Sequence, residues 1–139
     1  MASALWNPLQ NEKMASQTKT DTVDVLIVDD DVAVRSGLRE VLEAEGLLCH
    51  VEEDGLRAFD WLRDGGNGCR LILLDMATPR INGWQFLELR AKSPKISRMP
   101  VIVFSALPLD RLKGLDVAEI VRKPANSSRL LSAIRRRID

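Results

Sequence analysis

The sequence predicts an α/β domain: a five-stranded parallel sheet, doubly wound, with helices on both faces. Three observations carry this expectation. Short continuous apolar runs recur along the chain, Val25–Val28 and Leu71–Leu74 being the clearest, and such runs suit strands buried on both faces. Between them lie segments whose apolar residues recur at helical spacing. The two patterns alternate from Val23 to Asp139, and alternation of this kind gives parallel neighbours joined by right-handed crossovers.

The elements follow in order. The first strand, Val25–Val28, ends in Asp29. Val34, Leu38, Val41 and Leu42 mark one face of a helix that Gly46 stops. Residues 47–51 read as a second, weaker strand. Asp54 suits the cap of a helix carrying Ala58, Phe59, Trp61 and Leu62. Gly65, Gly66, Asn67 and Gly68 then break the chain. The third strand, Leu71–Leu74, ends in Asp75. Pro79, Asn82 and Gly83 form a loop, and Trp84, Phe86, Leu87 and Ala91 make the next helix face. Residues 100–104 form the fourth strand, ending at Ser105. Pro108, Gly114 and sparse apolar positions leave room for only a short helix. Residues 117–121 are the fifth strand and run to Lys123 and Pro124. A last helix from about Ser127 buries Leu130, Leu131, Ile134 and Ile138. Residues 1–22 are polar and aperiodic apart from Leu5, Trp6 and Leu9, which reads as a flexible tail before a domain over 23–139.

Composition narrows the function. The chain has 139 residues, 45% hydrophobic and 29% charged, an ordinary globular balance that excludes a disordered or fibrous protein. Twenty basic residues balance twenty acidic ones, so no global charge draws it to nucleic acid or an anionic membrane. No stretch approaches the roughly 18 apolar residues of a membrane span, and no leader pattern opens the chain. Cys49 and Cys69 have neither metal-ligand spacing nor a disulfide framework, which fits a reducing, cytoplasmic location. Arg135, Arg136 and Arg137 are read as complementing the dipole of the last helix.

Ligands of such sheets bind beyond the carboxyl ends of the strands. The first strand ends in Asp29, Asp30 and Asp31, the third in Asp75, the fourth in Ser105 and the fifth in Lys123. If those four strands are neighbours, acids, a hydroxyl and an ammonium converge on one rim. Two carboxylates about 4 Å apart repel by roughly 4 kcal/mol at an effective dielectric near 20, so a cation is expected between them. The donors are hard oxygens, which favours Mg²⁺. Asp31, beside the first helix, is better read as its cap. His50 is read as a half-buried spectator.

Taken together, Val25 to Asp31, Leu74-Asp75 with Pro79 and Gly83, Phe104-Ser105-Ala106 and Lys123-Pro124 resemble the response-regulator receiver domains of two-component signalling. The resemblance spans Val23 to Asp139. It implies a flavodoxin-like sheet of order 2-1-3-4-5. It implies that Asp75 accepts a phosphoryl group from a sensor histidine kinase or phosphotransfer protein. It further implies Mg²⁺ held by Asp30, Asp75 and the Ala77 carbonyl, with Asp29 acting through water. Ser105 and Lys123 would contact the phosphoryl group, and the Lys123-Pro124 bond would be cis. No output domain follows the last helix, so the expectation is a stand-alone switch rather than a turnover enzyme. Such a switch would signal through protein contacts to an unnamed target, without direct DNA binding or membrane insertion.

Four positions depart from the family pattern. Ile120 stands where many receivers carry an aromatic that moves on activation. Ala77 and Leu107 occupy positions that tune hydrolysis of the phosphoryl group, and neither can orient water, which implies slow decay. Thr78 replaces an apolar residue before Pro79. The competing readings are a receiver fold that works as a phosphorylation-independent interaction module, and an enzyme on a similar sheet. A flavin-nucleotide site would be repelled by Asp29, Asp30 and Asp31. A dehalogenase-like phosphatase would want a second acid where Ala77 stands.

Overall fold

The computed structural model describes residues 22–138. The expectation of a flexible tail therefore falls, for residues 1–21, outside the described residues.

Among the described residues five strands alternate with five α-helices. In chain order they are β1 (Val25–Val28), α1 (Val32–Ala44), β2 (Cys49–Glu52), α2 (Gly55–Arg63), β3 (Leu71–Leu74), α3 (Gly83–Ala91), β4 (Val101–Ser105), α4 (Leu109–Leu112), β5 (Glu119–Arg122) and α5 (Ser127–Ile138). All strand pairs are parallel and the order is β2-β1-β3-β4-β5. Strand residues alternate between the two faces. Val25, Ile27, Leu71, Leu73, Ile102 and Phe104 pack with Leu42 of α1 and with Leu130 and Ile134 of α5. Leu26, Val28, Ile72, Leu74, Val101 and Val103 pack on the opposite face with Ala58, Leu62, Phe86 and Leu112. The sheet thus separates two apolar layers, which is why β1, β3 and β4 as far as Phe104 are apolar at every position.

Local chemistry sets the boundaries. Asp31 caps α1, its carboxylate accepting from the Ala33 and Val34 amides. Asp54 caps α2 through the Arg57 amide. Asn82 and Gln85 form a capping box on α3. Gly46, at φ +84°, turns the chain out of α1. Residues 65–68 make a tight turn with positive φ at all four positions, including Asn67. β2 begins at Cys49 and β5 at Glu119, two residues later than the apolar patterns suggest. Ala91 is exposed, and the buried position at the end of α3 is Arg90 instead. The Arg90 guanidinium donates twice to the Met99 carbonyl, which lets a charged side chain take an inward place. The arginines of α5 also do more than face solvent. Arg135 donates to the Glu45 carbonyl, Arg136 pairs with Glu119 and Arg137 donates to the Ala118 carbonyl. Both cysteines are free thiols.

Among the described glycines, Gly83 has the closest neighbours. A Cβ there would lie 2.3 Å from Met76 Sδ and 2.7 Å from Met76 Cα. The sulfur could swing away, but the backbone is pinned because the Gly83 amide donates to the Met76 carbonyl at 2.9 Å. Gly83→Ala is expected to cost about 2–3 kcal/mol, the upper part of the usual overpacking range. For a domain of this size that is a fall of roughly 10 °C in Tm, read by circular dichroism. A variant that melts with the wild type would contradict the close approach.

Candidate functional site

Strand register places the site. Val28 of β1 lies opposite Leu74 of β3, so the next residues, Asp29 and Asp75, emerge side by side. The Asp75 amide donates to the Val28 carbonyl and extends that ladder by one bond. On the other side Ser105 is the last residue of β4 and pairs with Arg122 of β5. The Lys123 amide donates to the Ser105 carbonyl, so the lysine emerges beside the serine. Asp29, Asp30, Asp75, Ala77, Ser105 and Lys123 line one cup of about 280 Å³ at the carboxyl end of the sheet. All the sequence-predicted site residues are therefore brought together. A larger cleft of about 820 Å³ lies elsewhere, lined by α5 residues and Glu45, and gathers no such cluster.

Charge organises the cup. Carboxylate oxygens of Asp29, Asp30 and Asp75 lie within 4.8 Å of one another. Asp29 is buried, with one carboxylate oxygen accepting from the Asp31 amide and the other from Lys123 Nζ at 2.8 Å. The ammonium also lies 5.3 Å from the centre of the Phe104 ring, an electrostatic seat for the lysine stem and head. Asp30 is exposed, and Asp75 sits at 8% exposure. Burial pushes the Asp75 carboxyl above its ordinary range, and Asp29 and Asp30 add to that push. Lys123 and the Ala77 amide oppose it. The Ser105 hydroxyl is buried and accepts from the Leu107 amide at 3.1 Å.

The donor set fits a hard divalent cation. Three carboxylates converge with no histidine or cysteine among them, and the exposed Ala77 lies at the cup's edge. Mg²⁺ takes one or two carboxylates and keeps waters, for which the open mouth leaves room.

His50 stands apart from the cup. Its ring stacks on Trp61 at 4.0 Å and its Nε2 lies 2.7 Å from Glu52, the half-buried spectator role that its strand position suggests. Asp31 caps α1 as expected. Thr78, for which the sequence offered no role, is buried and donates its hydroxyl to the Ile81 carbonyl within the loop after Asp75. The Lys123-Pro124 peptide is cis. Ile120 is half-buried and packs against the apolar layer beneath α2, α3 and α4. Sequence reasoning missed Arg35, which donates to the Asp29 carbonyl at 2.8 Å. Its place in the first turn of α1, six residues after Asp29, was the available signal. It also missed Asp54 and Arg80, which lie 26 residues apart in sequence and bond at 2.8 Å.

Among the described residues, no helix is long and apolar enough to cross a membrane. Comparison with known proteins agrees with the fold. Residues 25–135 match the response regulator receiver domain family. The transcriptional regulatory protein CpxR of Escherichia coli K12 is 36% identical over 115 residues, covering 80% of this chain and 47% of that protein. The sensor histidine kinase CheAY of Helicobacter pylori is 26% identical over 136 residues, 94% of this chain and 17% of that protein. This chain thus spans about half the length of the CpxR relatives it matches. Among solved structures, the chemotaxis response regulator CheY4 of Vibrio cholerae superposes with a TM-score of 0.76 at 20% identity, covering 85% of this chain and all of that one. That likeness speaks to the fold, and the match over residues 25–135 speaks to the family. With its five-stranded sheet and acidic cup, the chain belongs to the response regulator receiver domains of two-component signalling.

Proposed function

We propose that this chain is a Mg²⁺-dependent phosphorylation switch in which Asp75 accepts a phosphoryl group from a sensor histidine kinase or phosphotransfer protein. The observation that carries the reading is the approach of the Asp29, Asp30 and Asp75 carboxylates to within 4.8 Å beside the Lys123 ammonium. Asp30, Asp75 and the Ala77 carbonyl would hold Mg²⁺, with Asp29 acting through water. The cation supplies charge cancellation for the incoming phosphoryl oxygens.

The remaining chemistry belongs to the chain. A carboxylate oxygen of Asp75 attacks phosphorus, the bond from phosphorus to the donor's nitrogen breaks, and that nitrogen keeps the electron pair. Such transfers pass through a loose transition state, so orientation and charge placement do most of the catalysis. Lys123 is then drawn from Asp29 toward a phosphoryl oxygen, and the Ser105 hydroxyl donates to another. Leu107 and Ala77 line the cup without a group that could orient a hydrolytic water, which supports a long-lived acyl phosphate. The output is a change in protein contacts, driven by a new doubly negative group.

Incubation with acetyl phosphate and Mg²⁺, followed by intact-mass and peptide mass spectrometry, tests the reading. One phosphoryl group is expected on the peptide carrying Asp75, and none in excess chelator. A receiver fold that works independently of phosphorylation would take up no label under either condition.

A further inference from the structure

The loop from Asp75 to Asn82 carries both the proposed acceptor and the Ala77 carbonyl. Local bonds close it. The Gly83 amide donates to the Met76 carbonyl, and the Thr78 hydroxyl to the Ile81 carbonyl. The Arg80 side chain ties the loop to a different element. Arg80 Nε and a terminal guanidinium nitrogen both lie 2.8 Å from the same carboxylate oxygen of Asp54. The other oxygen of Asp54 accepts from the Arg57 amide at the start of α2. One carboxylate therefore fastens the loop to the helix terminus.

The contact is asymmetric. The Asp54 side chain is 2% exposed and that of Arg80 is 48% exposed. A buried carboxylate facing a surface arginine sets where the arginine must lie. Arg80 also has φ +66°, a left-handed conformation that costs a non-glycine residue free energy. The neighbouring pair adds a steric wall, because a Cβ on Gly55 would lie 3.0 Å from Ile81 Cγ1. The residues after Asp54 and after Arg80 are thus in contact as well. Although burial favours the neutral form, the Arg57 amide and the Arg80 guanidinium keep the Asp54 carboxyl below its ordinary range, so the charge that holds the loop persists at neutral pH.

We propose that Asp54 and Arg80 are a positioning pair for the cation site: their bond fixes residues 76–81 against α2 and thereby sets the affinity of the acidic cup for Mg²⁺. The inference rests on the reading of the cup given above. Neither residue lines the cup, so both act through the loop.

Calorimetric titration with Mg²⁺ alone tests it, on wild type, Asp54→Asn, Arg80→Gly and the double variant. Asparagine caps helices as well as aspartate, so Asp54→Asn removes the charge and keeps the cap. Glycine accepts φ +66° without strain, so Arg80→Gly removes the bond and relieves the backbone, and this surface variant is expected to fold. Each single variant is expected to bind Mg²⁺ about tenfold more weakly, the lower end for residues that orient metal ligands. The double variant is expected to be no weaker than either single, because both remove the same bond. At saturating Mg²⁺, uptake from acetyl phosphate should return to the wild-type rate, whereas a damaged fold would leave it depressed. Wild-type Mg²⁺ affinity in Arg80→Gly would overturn the proposal and leave the acidic cup intact as the cation site. A wild-type protein that binds no Mg²⁺ would overturn both.

Discussion

Asp75→Asn protein is expected to take up no phosphoryl group from acetyl phosphate, and in metal-free buffer at neutral pH to melt above wild type. The first effect follows from removing the attacking oxygen: an amide is no nucleophile toward phosphorus at neutral pH. The second follows from the ionisation of Asp75. Burial, reinforced by Asp29 and Asp30, raises its carboxyl in the folded state against the pull of Lys123 and the Ala77 amide. A carboxyl raised on folding penalises the native state wherever it must be ionised, and the penalty disappears once the pH falls below the unfolded value. The neutral amide escapes that penalty. The gap in Tm between the two proteins should therefore be present at pH 7 and closed near about pH 3, where both forms are uncharged. Adding Mg²⁺ at pH 7 should raise the wild-type Tm more than that of the variant, because the variant has lost one ligand charge. Thermal melts with chelator and with Mg²⁺ read all of this. A variant that melts below wild type in chelator would show that the Asp75 carboxylate holds the fold together.

Lys123→Ala is expected to move cation binding and phosphoryl uptake in opposite directions. The ammonium lies 2.8 Å from Asp29, whose side chain is 3% exposed. Without it Asp29 stays buried beside two other acids. Breaking a buried pair costs about 3–5 kcal/mol, and the lower end applies because the Lys123 side chain is 20% exposed. The same loss makes the cup more negative, so Mg²⁺ should bind more tightly and restore more Tm than it adds to wild type. Phosphoryl uptake should nonetheless fall by about 100-fold, the usual cost of removing one preorganised charge from a transition state. Calorimetry, melts and single-turnover labelling read the three effects. Weaker Mg²⁺ binding, or uptake at the wild-type rate, would mean that Lys123 does not share the field of the three carboxylates.

Much of the fold and the cup was legible because both depend on strands. A run such as Leu71–Leu74 is apolar at every position only if both faces are covered, and alternation with helices then dictates parallel neighbours. Once β1 and β3 are in register, Asp29 and Asp75 must meet, and the same holds for Ser105 at the end of β4 and Lys123 just after β5. What was illegible depends on loops and on side chains that reach far. Nothing in the pattern says that Arg80 adopts a left-handed backbone or bonds to an aspartate 26 residues away. Ala91 passed for a core residue because composition favours it over arginine. Arg90 took the buried place because the Met99 carbonyl could accept its donors. The bonds made by Arg135, Arg136 and Arg137 likewise need the partner elements to be in place before they can be seen.

The two free thiols have a consequence for what this switch can sense. Burial pushes Cys49 up to about 12 and Cys69 up to about 11. The thiolate is the form that attacks peroxides, electrophiles and disulfides, and these values make it scarce at neutral pH. Neither sulfur is therefore expected to react readily with mild oxidants or electrophiles at neutral pH while the domain is folded.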